Sequence, residues 1–539
     1  MTVSSEAFLD ENHDWPTHGS YEYTAYYHSR KEVVSFDDFA AQGRSPRYDF
    51  AVIGAGPIGA ALAYKLAVDW PQRRILVVEK NWAEPDRIVG ELMQPSGCQA
   101  MERLGLRMVF NDIGSVPVHG YYISYRGRSL YVPYMRKEDG RQLRGVSFHH
   151  GRLVMNLRAA CKAQSNITCV EGSVVELLGK TDSMGQQQQV NGVRVAAARA
   201  SDDKSVDVTA QLTFVCDGIM SQFRKRLNNQ AIETISHFCG LVLEHEPVQS
   251  DEYFSGPTGT TDHILRAEAA GGNVLPMPHN GNVLLDGVGP VLLYQMSERE
   301  TRVLADIPGS QLPSEASGQL RAVLRDSLAR AAPKHISPGL HAALLSALDD
   351  SRRIRCIGSK FVPAVANKVD GAVWIGDALN VRHPLTGGGM TIGLWDVVLL
   401  TDLLQEQPDL NMRQITAKWQ WQRRPRALVV NVLSVALHAL FAAETKELAL
   451  LREACFDYLG RGSYFTMQPS GFLSGLLPNP LLLLFHFFSV AFLAVYLRIS
   501  NSSVSYPGDS LPIRFYSAFY TLFVAARVIL PVIWQELRP

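Results

Sequence analysis

The sequence predicts an α/β fold that is followed by an apolar, helical C-terminal region. Three observations support this prediction. A buried strand, a glycine-rich turn and a helix follow one another in YDFAVIGAGPIGAALAYKLA, which begins at Tyr48. A second strand that runs into glycines, GAVWIGDA, occurs far downstream. After about residue 400 the chain reads as helical and increasingly apolar.

Length, charge and cysteine usage limit the possible functions. A chain of 539 residues exceeds one ordinary hydrophobic core, so two domains with appendages are expected. Lysine plus arginine equals aspartate plus glutamate, at 52 each, which argues against nucleic acid as a partner. The seven cysteines include no CxxC pair, which argues against a disulfide framework or a zinc site and favours a reducing compartment. The N-terminus shows no cleaved signal peptide.

Changes in sequence character divide the chain into five segments. They are a polar N-terminal arm that is mobile or loosely docked (1–46), the first part of a cofactor-binding domain with interleaved substrate-domain strands (47–235), a substrate-binding domain (236–365), the second part of the cofactor-binding domain (366–400) and a helical, membrane-associated region (401–539). The stretch DSMGQQQQVNG is expected to form the solvated tip of a hairpin, and FRKR (223–226) a solvated basic turn.

The first glycine cluster predicts a dinucleotide site. GxGxxG follows a strand and opens a helix: one glycine permits the tight turn, the next lets the backbone approach a pyrophosphate, and the last lets helix pack on strand. The helix N-terminus adds amide donors and partial positive charge. Glu79 ends the next strand, where a carboxylate can accept both ribose hydroxyls. The predicted cradle is Gly54, Ala55, Gly56, Pro57, Ile58 and Gly59.

The second glycine element indicates that the dinucleotide is FAD. A nicotinamide dehydrogenase would normally complete its fold in one contiguous block, whereas this chain supplies another strand and glycine turn far downstream. Asp377, at the end of that strand, is placed to bind the ribityl–pyrophosphate portion. The amides of TGGGMT, at a helix start, are placed to face the flavin ring. These loop residues are Gly387, Gly388, Gly389 and Met390.

The C-terminal apolar segments predict a membrane anchor that need not cross the bilayer. NPLLLLFHFFSVAFLAVYLRI and FYSAFYTLFVAARVILPVIW are too apolar for an ordinary surface, although a pair of fully buried core helices is the alternative. Arg527 lies near the middle of the last segment, where a charge costs about 2.5–3.5 kcal/mol on an insertion scale. An interfacial position with a snorkelling arginine is therefore favoured. Because both segments follow every cofactor motif, the anchor is expected to be separable.

The motifs resemble those of the squalene monooxygenases, or squalene epoxidases, of the fungal type. The matching stretches are GAGPIG, VVEK, EPDRIVGELMQPSG, FHHGRL, VCDGIMSQFRK and GDALNVRHPLTGGGMTIGLWDVVLL. The flavin motifs alone indicate only class A FAD-dependent monooxygenases, while EPDRIVGELMQP and RHPLTGGGM are much more specific. The resemblance implies a Rossmann-like FAD-binding domain, a mixed-sheet substrate domain and a membrane-associated helical region.

The resemblance also implies an activity and residue roles. It implies epoxidation of squalene to 2,3-oxidosqualene with O₂, in sterol or triterpenoid biosynthesis. Electrons would come from NADPH through a partner reductase, at the cytoplasmic side of the endoplasmic reticulum membrane. Tyr121 and Gln94 match the polar pair beside the reacting centre. The further cofactor contacts that it implies are Glu79, Lys80, Arg87, Arg152, Val174, Asp377 and Met390.

Departures from the family pattern leave the substrate open. Ser96 replaces a glycine, Val381 a methionine, and residues 355–363 differ from a more uniform family segment. A paralogue that epoxidises another terpenoid would look similar. Other chemistry on the flavin fold, such as aromatic hydroxylation or prenyl-chain reduction, and a non-catalytic prenyl-binding protein are further alternatives. His149 and His150 lack further ligands at zinc spacing and are read as structural, so no metal site is predicted.

Overall fold

The computed structural model describes ten stretches of the chain. They are residues 32–41, 46–181, 187–198, 204–227, 232–245, 275–331, 338–349, 354–406, 412–500 and 509–537. The strands are β1 Arg47–Ile53, β2 Ile75–Glu79, β3 Leu92–Met93, β4 Val116–Val118, β5 Gly120–Tyr125, β6 Arg128–Pro133, β7 Gly145–Ser147, β8 Ile167–Glu171, β9 Ser173–Thr181, β10 Gln187–Ala196, β11 Ser205–Val215, β12 Thr234–Glu244, β13 Gly281–Leu284, β14 Val291–Ser297, β15 Glu300–Pro308, β16 Arg355–Lys360 and β17 Ala372–Trp374.

Helices flank the sheets and make up the C-terminal part of the chain. They are α1 Phe36–Ala40, α2 Pro57–Asp69, α3 Pro95–Arg103, α4 His150–Lys162, α5 Arg224–Leu227, α6 Gln319–Ala331, α7 Pro338–Asp349, α8 Gly388–Glu406, α9 Met412–Ala442, α10 Lys446–Leu459, α11 Tyr464–Leu473, α12 Pro480–Ile499 and α13 Leu511–Leu537.

The first sheet joins distant parts of the sequence. Its order is β8-β2-β1-β11-β10-β9. β17 pairs with the last three residues of β11, beyond the part of β11 that pairs with β10. The contacts of β1 with β2 and β11, of β2 with β8 and of β11 with β17 are parallel. β1 is buried over its last four residues, as expected of a central strand covered on both faces. The carboxyl ends of β1, β2 and β17 therefore meet at one edge of the sheet.

The glutamine-rich segment differs from its prediction. Gln187–Gln189 lie within β10, which pairs antiparallel with β9, and not in a solvated hairpin tip. Gln187 is buried. Residues 182–186, which connect β9 to β10, lie outside the described residues. A run of polar residues can enter a strand here because β-sheet propensity depends more on pairing and context than on residue type.

The second sheet is mixed and has the order β16-β12-β15-β14-β13-β5-β6. Most neighbours are antiparallel, whereas β13 and β5 are parallel. Leucines of α6 and α7 pack against β12, β14 and β15 in one apolar cluster. A small third sheet consists of β3, β7 and β4. The chain runs from the first sheet through β3 and β4 to β5 and β6 of the second sheet, and it returns through β7 to the first sheet.

Part of the N-terminal arm is firmly docked, so the prediction of a mobile or loosely docked arm is wrong there. Val34 forms a bridge with Val170 of β8, and its N–H donates to the carbonyl of Cys169 at 2.9 Å. Phe36 and Phe39 of α1 are buried in the core of the first sheet. Residues 1–31 and 42–45 lie outside the described residues.

The C-terminal helices have one buried and one exposed face. By length and composition, α9, α12 and α13 could each cross a membrane. In α13, small and apolar residues at helical spacing face the protein: Ala518, Thr521, Ala525, Ile529 and Val532. The opposite faces of α12 and α13 expose large apolar side chains, namely Leu481, Phe485, Phe492, Tyr496, Ile513, Phe515, Tyr516, Phe519, Tyr520, Phe523, Leu530 and Trp534.

α12 and α13 are amphipathic, and one face of each packs against the rest of the protein. The helices are not fully buried core helices, and their exposed apolar faces are compatible with membrane association. Arg527 is exposed on the apolar face, as a snorkelling arginine would be. Against the expectation of a separable anchor, Ile529 and Val532 of α13 share an apolar cluster with Val429 and Val432 of α9.

Candidate functional site

The first glycine turn forms an open cradle at the edge of the first sheet. Gly54 has φ +95°, and its N–H donates to the carbonyl of Val78 at 2.8 Å. A Cβ on Gly59 would lie 2.0 Å from the Gly54 carbonyl oxygen, so only glycine lets α2 approach β1 this closely. A Cβ on Gly56 would meet nothing within 4 Å. The backbone at Gly56 is therefore open to a phosphate group, and Pro57 starts the helix behind it.

Glu79 is held beside this cradle by backbone donors. Its Oε2 accepts from Ala55 N–H at 2.8 Å and its Oε1 from Asn81 N–H at 3.2 Å. A carboxylate offers about four acceptor positions, so two remain for ribose hydroxyls. Lys80 is exposed next to it. This donor and acceptor set fits the adenosine end of FAD.

Arg158 completes this end and was not identified from the sequence. Its Nη2 lies 3.8 Å from Glu79 Oε2, and its Nε donates to the Ala55 carbonyl at 2.9 Å. The guanidinium also stacks over Trp82. The sequence did offer one signal for Arg158, an arginine within an apolar stretch of a helix. A buried charge requires partners, so such an arginine indicates a polar site nearby.

The second glycine element forms the other wall. The 3₁₀ turn Gly376–Ala378 follows β17, and the turn Pro384–Thr386 leads through Gly387, with φ +61°, into α8. A Cβ on Gly376 would lie 3.2 Å from Ile58, so the two glycine elements pack together through that side chain. A Cβ on Gly389 would meet nothing within 4 Å, which leaves the start of α8 open.

Asp377 lies at the junction of these walls. Its side chain is exposed in the crevice, yet the surrounding protein raises its pKa by limiting hydration. The positive charges of Arg382, Arg87 and Arg224 oppose that rise. A carboxylate among three arginines, with uncrowded backbone at Gly56 and Gly389, suits the ribityl and phosphate groups of FAD. FAD fits this crevice because acceptors, cations and uncrowded backbone occur together.

The remaining predicted cofactor residues have the following positions. Arg87 is exposed, and its charge acts on both Asp377 and His150. Arg152 Nη1 donates to the Ile113 carbonyl at 3.2 Å. Val174 is buried, and its carbonyl accepts from Gln222 Nε2. Of the loop residues, Gly388 is buried, whereas Met390 is half-buried and lies near Gly90.

Gln94 connects the second glycine element to the mixed sheet. Its Nε2 donates to the Thr386 carbonyl at 3.0 Å. Its Oε1 accepts from Tyr121 at 2.8 Å and from Tyr134 at 2.8 Å. Burial raises the pKa of both phenols, so both remain O–H donors. The sequence indicated Tyr121 and Gln94 but not Tyr134, which follows β6 and faces Tyr121 with ring centroids 5.5 Å apart.

Arg224 corrects the interpretation of FRKR as a solvated basic turn. Arg224 is 4 % exposed. Its guanidinium donates to the carbonyls of Gly218, Ile219, Asp377 and Ala378. It therefore joins the two parts of the cofactor-binding crevice. The motif misled because three adjacent basic residues usually mark a surface, while four convergent carbonyls can satisfy a buried guanidinium.

A buried polar network lies behind the Pro384–Thr386 turn. Asp306, His383 and His438 bring potential metal-ligand atoms within 4.8 Å of one another. Hydrogen bonds account for this geometry. Ser236 Oγ donates to Asp306 at 2.6 Å and lies 2.9 Å from His383 Nε2, and His438 Nε2 lies 3.1 Å from Asp306. His383 Nδ1 accepts from Leu385 N–H at 3.3 Å and so caps the turn.

The predicted structural histidines have such partners as well. His149 Nε2 lies 2.8 Å from Glu300 Oε2, and His150 Nδ1 lies 3.1 Å from the Gly90 carbonyl oxygen. Burial lowers the pKa of His150 to about 4, so this ring is neutral at physiological pH. His150 thereby ties the start of α4 to the segment that carries Gln94.

Two regions next to the crevice differ in polarity. A cavity of about 1590 Å³ is lined by charged residues such as Arg87 and Arg302 as well as by Leu241 and Ile357, and its wall contains neither Tyr121 nor Gln94. Tyr121 instead packs against an apolar cluster formed by β5, β6, α10, α12 and α13. The surroundings of Tyr121 are therefore better suited to a hydrocarbon than the mixed cavity is.

The fold is that of the FAD-dependent monooxygenases. The model superimposes on Pseudomonas putida p-nitrophenol 4-monooxygenase PnpA, with TM-score 0.59 and 14% identity over 80% of this chain and 98% of that one. It also superimposes on Klebsiella pneumoniae HpxO in complex with FAD and uric acid, with TM-score 0.58 and 17% identity over 80% and 98% of the two chains. FAD is the cofactor of this class.

Sequence comparison identifies the family to which the chain belongs within this class. A family model described as squalene epoxidase matches residues 209–254 and 269–509. Squalene epoxidase of Candida albicans is 36% identical over 92% of this chain and 99% of that protein. Squalene monooxygenase of Mus musculus is 35% identical over 90% and 77% of the two chains. The chain belongs to the squalene epoxidase family.

Proposed function

We propose that this protein epoxidises squalene to 2,3-oxidosqualene, with O₂ as the oxygen source. One observation supports this proposal beyond family membership. Gln94 joins the carbonyl of Thr386, in the second glycine element, to Tyr121 on the mixed sheet, whose ring packs against an apolar cluster. The proposed flavin cradle and an apolar cluster thus meet at one hydrogen-bonded amide.

Separate groups in the crevice would hold the cofactor. Gly54, Gly56 and Gly59 would admit the pyrophosphate to the start of α2, and Glu79 would accept the ribose hydroxyls. Backbone groups from Ala55 to Ile58, with Lys80, Arg87, Arg152 and Val174, would complete the adenosine and phosphate contacts. Asp377 would bind the ribityl–pyrophosphate portion, and Gly387 to Met390 would border the flavin ring.

The protein's own contribution is to bind, orient and exclude water. Bound reduced FAD supplies oxygen activation, because an alkene needs an electrophilic oxygen atom. An alkene offers no group for side-chain hydrogen bonding, so no acid–base dyad acts on the substrate. Gln94 and Tyr121 would instead fix the Thr386 carbonyl and the wall beside the ring. Apolar packing around Tyr121 would keep water from the reacting centre.

The electron donor and location follow from the same proposal. Electrons would come from NADPH through a membrane-bound NADPH-cytochrome reductase. The exposed aromatic faces of α12 and α13 would lie in membrane lipid at the cytoplasmic side of the endoplasmic reticulum, where a hydrocarbon substrate dissolves.

Product analysis under ¹⁸O₂ tests the proposal. The full chain in microsomes is incubated with squalene, NADPH and a microsomal reductase, and the sterol precursors are resolved by mass spectrometry. We expect 2,3-oxidosqualene carrying one oxygen atom from O₂. FAD-loaded protein that forms no epoxide from squalene, but does from another terpenoid, would identify a paralogue with a different substrate.

A further inference from the structure

The last turn of α13 reaches the loop from Gly387 to Met390, here called the flavin loop, through a chain of buried polar groups. Glu536, which is 5 % exposed, accepts from Asn431 Nδ2 at 2.7 Å. Asn431 Oδ1 in turn accepts from Arg382 Nε at 2.8 Å. Arg382 Nη1 lies 3.4 Å from the Gly388 carbonyl and 3.3 Å from that of Gly389.

The position of Glu536 on its helix is unusual. It extends the buried stripe of α13, whose other members are apolar or small, as Ile529 and Val532 are. A buried carboxylate costs free energy unless charges and donors compensate for it. The nearby cations are Arg423, itself paired with Asp396 at 2.8 Å, and Arg382. An apolar side chain would match the rest of this stripe but would offer no acceptor to Asn431 Nδ2 or to the backbone of Ala364, so the carboxylate is explained by the donors around it.

Arg382 gives that explanation, because it lies where the crevice walls meet. Its charge acts on Asp377, and its guanidinium fixes two carbonyls at the start of α8. Those carbonyls belong to Gly388 and Gly389, and the backbone at Gly389 is uncrowded. Asn431 is fully buried and orients the guanidinium by one hydrogen bond. Its Nδ2 is held by two acceptors: Glu536, and Asn380 Oδ1 at 3.1 Å, which also accepts from Arg382.

We propose that Glu536 is a positioning residue for the flavin loop and that it acts through Asn431 and Arg382. The apolar anchor helix would thereby complete the flavin site from behind, so that seating of the anchor and binding of FAD favour each other. This inference rests on the proposed function in one respect, namely that Gly387 to Met390 border the flavin.

The test measures FAD affinity and the visible-region circular dichroism of bound FAD, with full-length variants in lipid nanodiscs. Glu536→Ala removes one of the two acceptors of Asn431 Nδ2, the other being Asn380 Oδ1 at 3.1 Å, so we expect the FAD Kd to rise roughly three- to tenfold and the flavin dichroism to change. Glu536→Gln keeps an acceptor oxygen and should stay within about twofold of wild type. Leu537→Ala, on the adjacent exposed position, is the matched control and should bind FAD normally.

A double variant tests the relay. Asn431→Ala alone should weaken FAD, and adding Glu536→Ala should weaken it no further, because the two residues act in series. If Glu536→Ala does not fold, Glu536→Asp serves in its place. It keeps the charge but withdraws the carboxylate by one methylene, and the same loss of FAD affinity is expected.

Three results would overturn the inference. The first is wild-type FAD affinity in Glu536→Ala, or in Glu536→Asp where that variant replaces it, while Asp377→Ala loses affinity. This result would overturn the inference and leave the proposed function intact. Unchanged affinity in all these variants would overturn the flavin-loop assignment and the inference with it. Equal losses in Glu536→Gln and Glu536→Ala would show that charge acts, and not the hydrogen bond to Asn431.

Discussion

Replacing Tyr121 by phenylalanine tests how the crevice is held beside the mixed sheet. The change removes one hydroxyl and keeps the ring. Because Gln94 Oε1 accepts from both Tyr121 and Tyr134, at 2.8 Å each, the amide oxygen retains one donor in Tyr121→Phe. The loss is therefore one net hydrogen bond, about 0.5–1.5 kcal/mol, which corresponds to roughly a two- to tenfold fall in turnover.

The double variant should behave differently from either single variant. Tyr134→Phe should cost as much as Tyr121→Phe, since each leaves the other phenol in place. Removing both hydroxyls leaves a buried amide oxygen without a donor, which costs a further 1–3 kcal/mol or roughly 5- to 150-fold. The expected loss therefore exceeds the sum of the single losses by about 1 kcal/mol or more.

The assay is the rate of 2,3-oxidosqualene formation, with FAD occupancy measured in parallel. Occupancy should stay near wild type in both single variants, because neither phenol is proposed to touch the dinucleotide. Tyr125→Phe is the matched control, since it lies on the same strand and its buried hydroxyl has no hydrogen-bond partner among the described residues. Additive single losses, or a double variant no worse than the single ones, would refute the shared-acceptor reasoning.

Three further substitutions test the cofactor contacts. Asp377→Ala should lower FAD affinity roughly ten- to a hundredfold by removing a charge-assisted hydrogen bond of about 1.5–3 kcal/mol, as measured by fluorescence titration. Asp370→Ala is its control. Asp370 lies just before β17 and pairs with the exposed Arg413, so this variant should bind FAD normally. Glu79→Arg should weaken FAD as well, because it removes the ribose acceptor and the acceptor for Ala55 N–H; unchanged affinity would mean that the first glycine motif is misread. Arg224→Gln should lower both FAD affinity and the thermal midpoint, and a change in neither would show that its four carbonyl bonds do not hold the crevice together.

The local elements were predictable because short-range chemistry determines them. The strand, glycine turn and helix around Gly54 and the strand that ends before Asp377 follow from patterns of a few residues. That both glycine elements belong to one crevice was also predictable, since each follows a strand. The packing of Ile58 against Gly376 was not, because it depends on how two sequence-distant segments meet in space.

Partners in three-way polar contacts were harder to predict. Tyr134 and Arg158 belong to no recognisable motif. Only the fold reveals that Tyr134 shares Gln94 Oε1 with Tyr121, and that Arg158 lies beside Glu79. Arg224 was misread because its neighbours are basic, and Gln187 because its neighbours are polar. In each case the deciding term was burial with satisfied hydrogen bonds, which a linear pattern does not encode.

The two-faced α13 determines how a water-soluble form of this protein can be made. Deleting the helix would remove Ile529, Val532 and Glu536 from their buried contacts and leave Asn431 exposed behind the crevice. Replacing exposed aromatics such as Phe519 by polar residues leaves those contacts untouched. Solubility and structural integrity are encoded by different side chains of the same helix, so surface redesign is the suitable route to crystals of the soluble enzyme, and truncation is not.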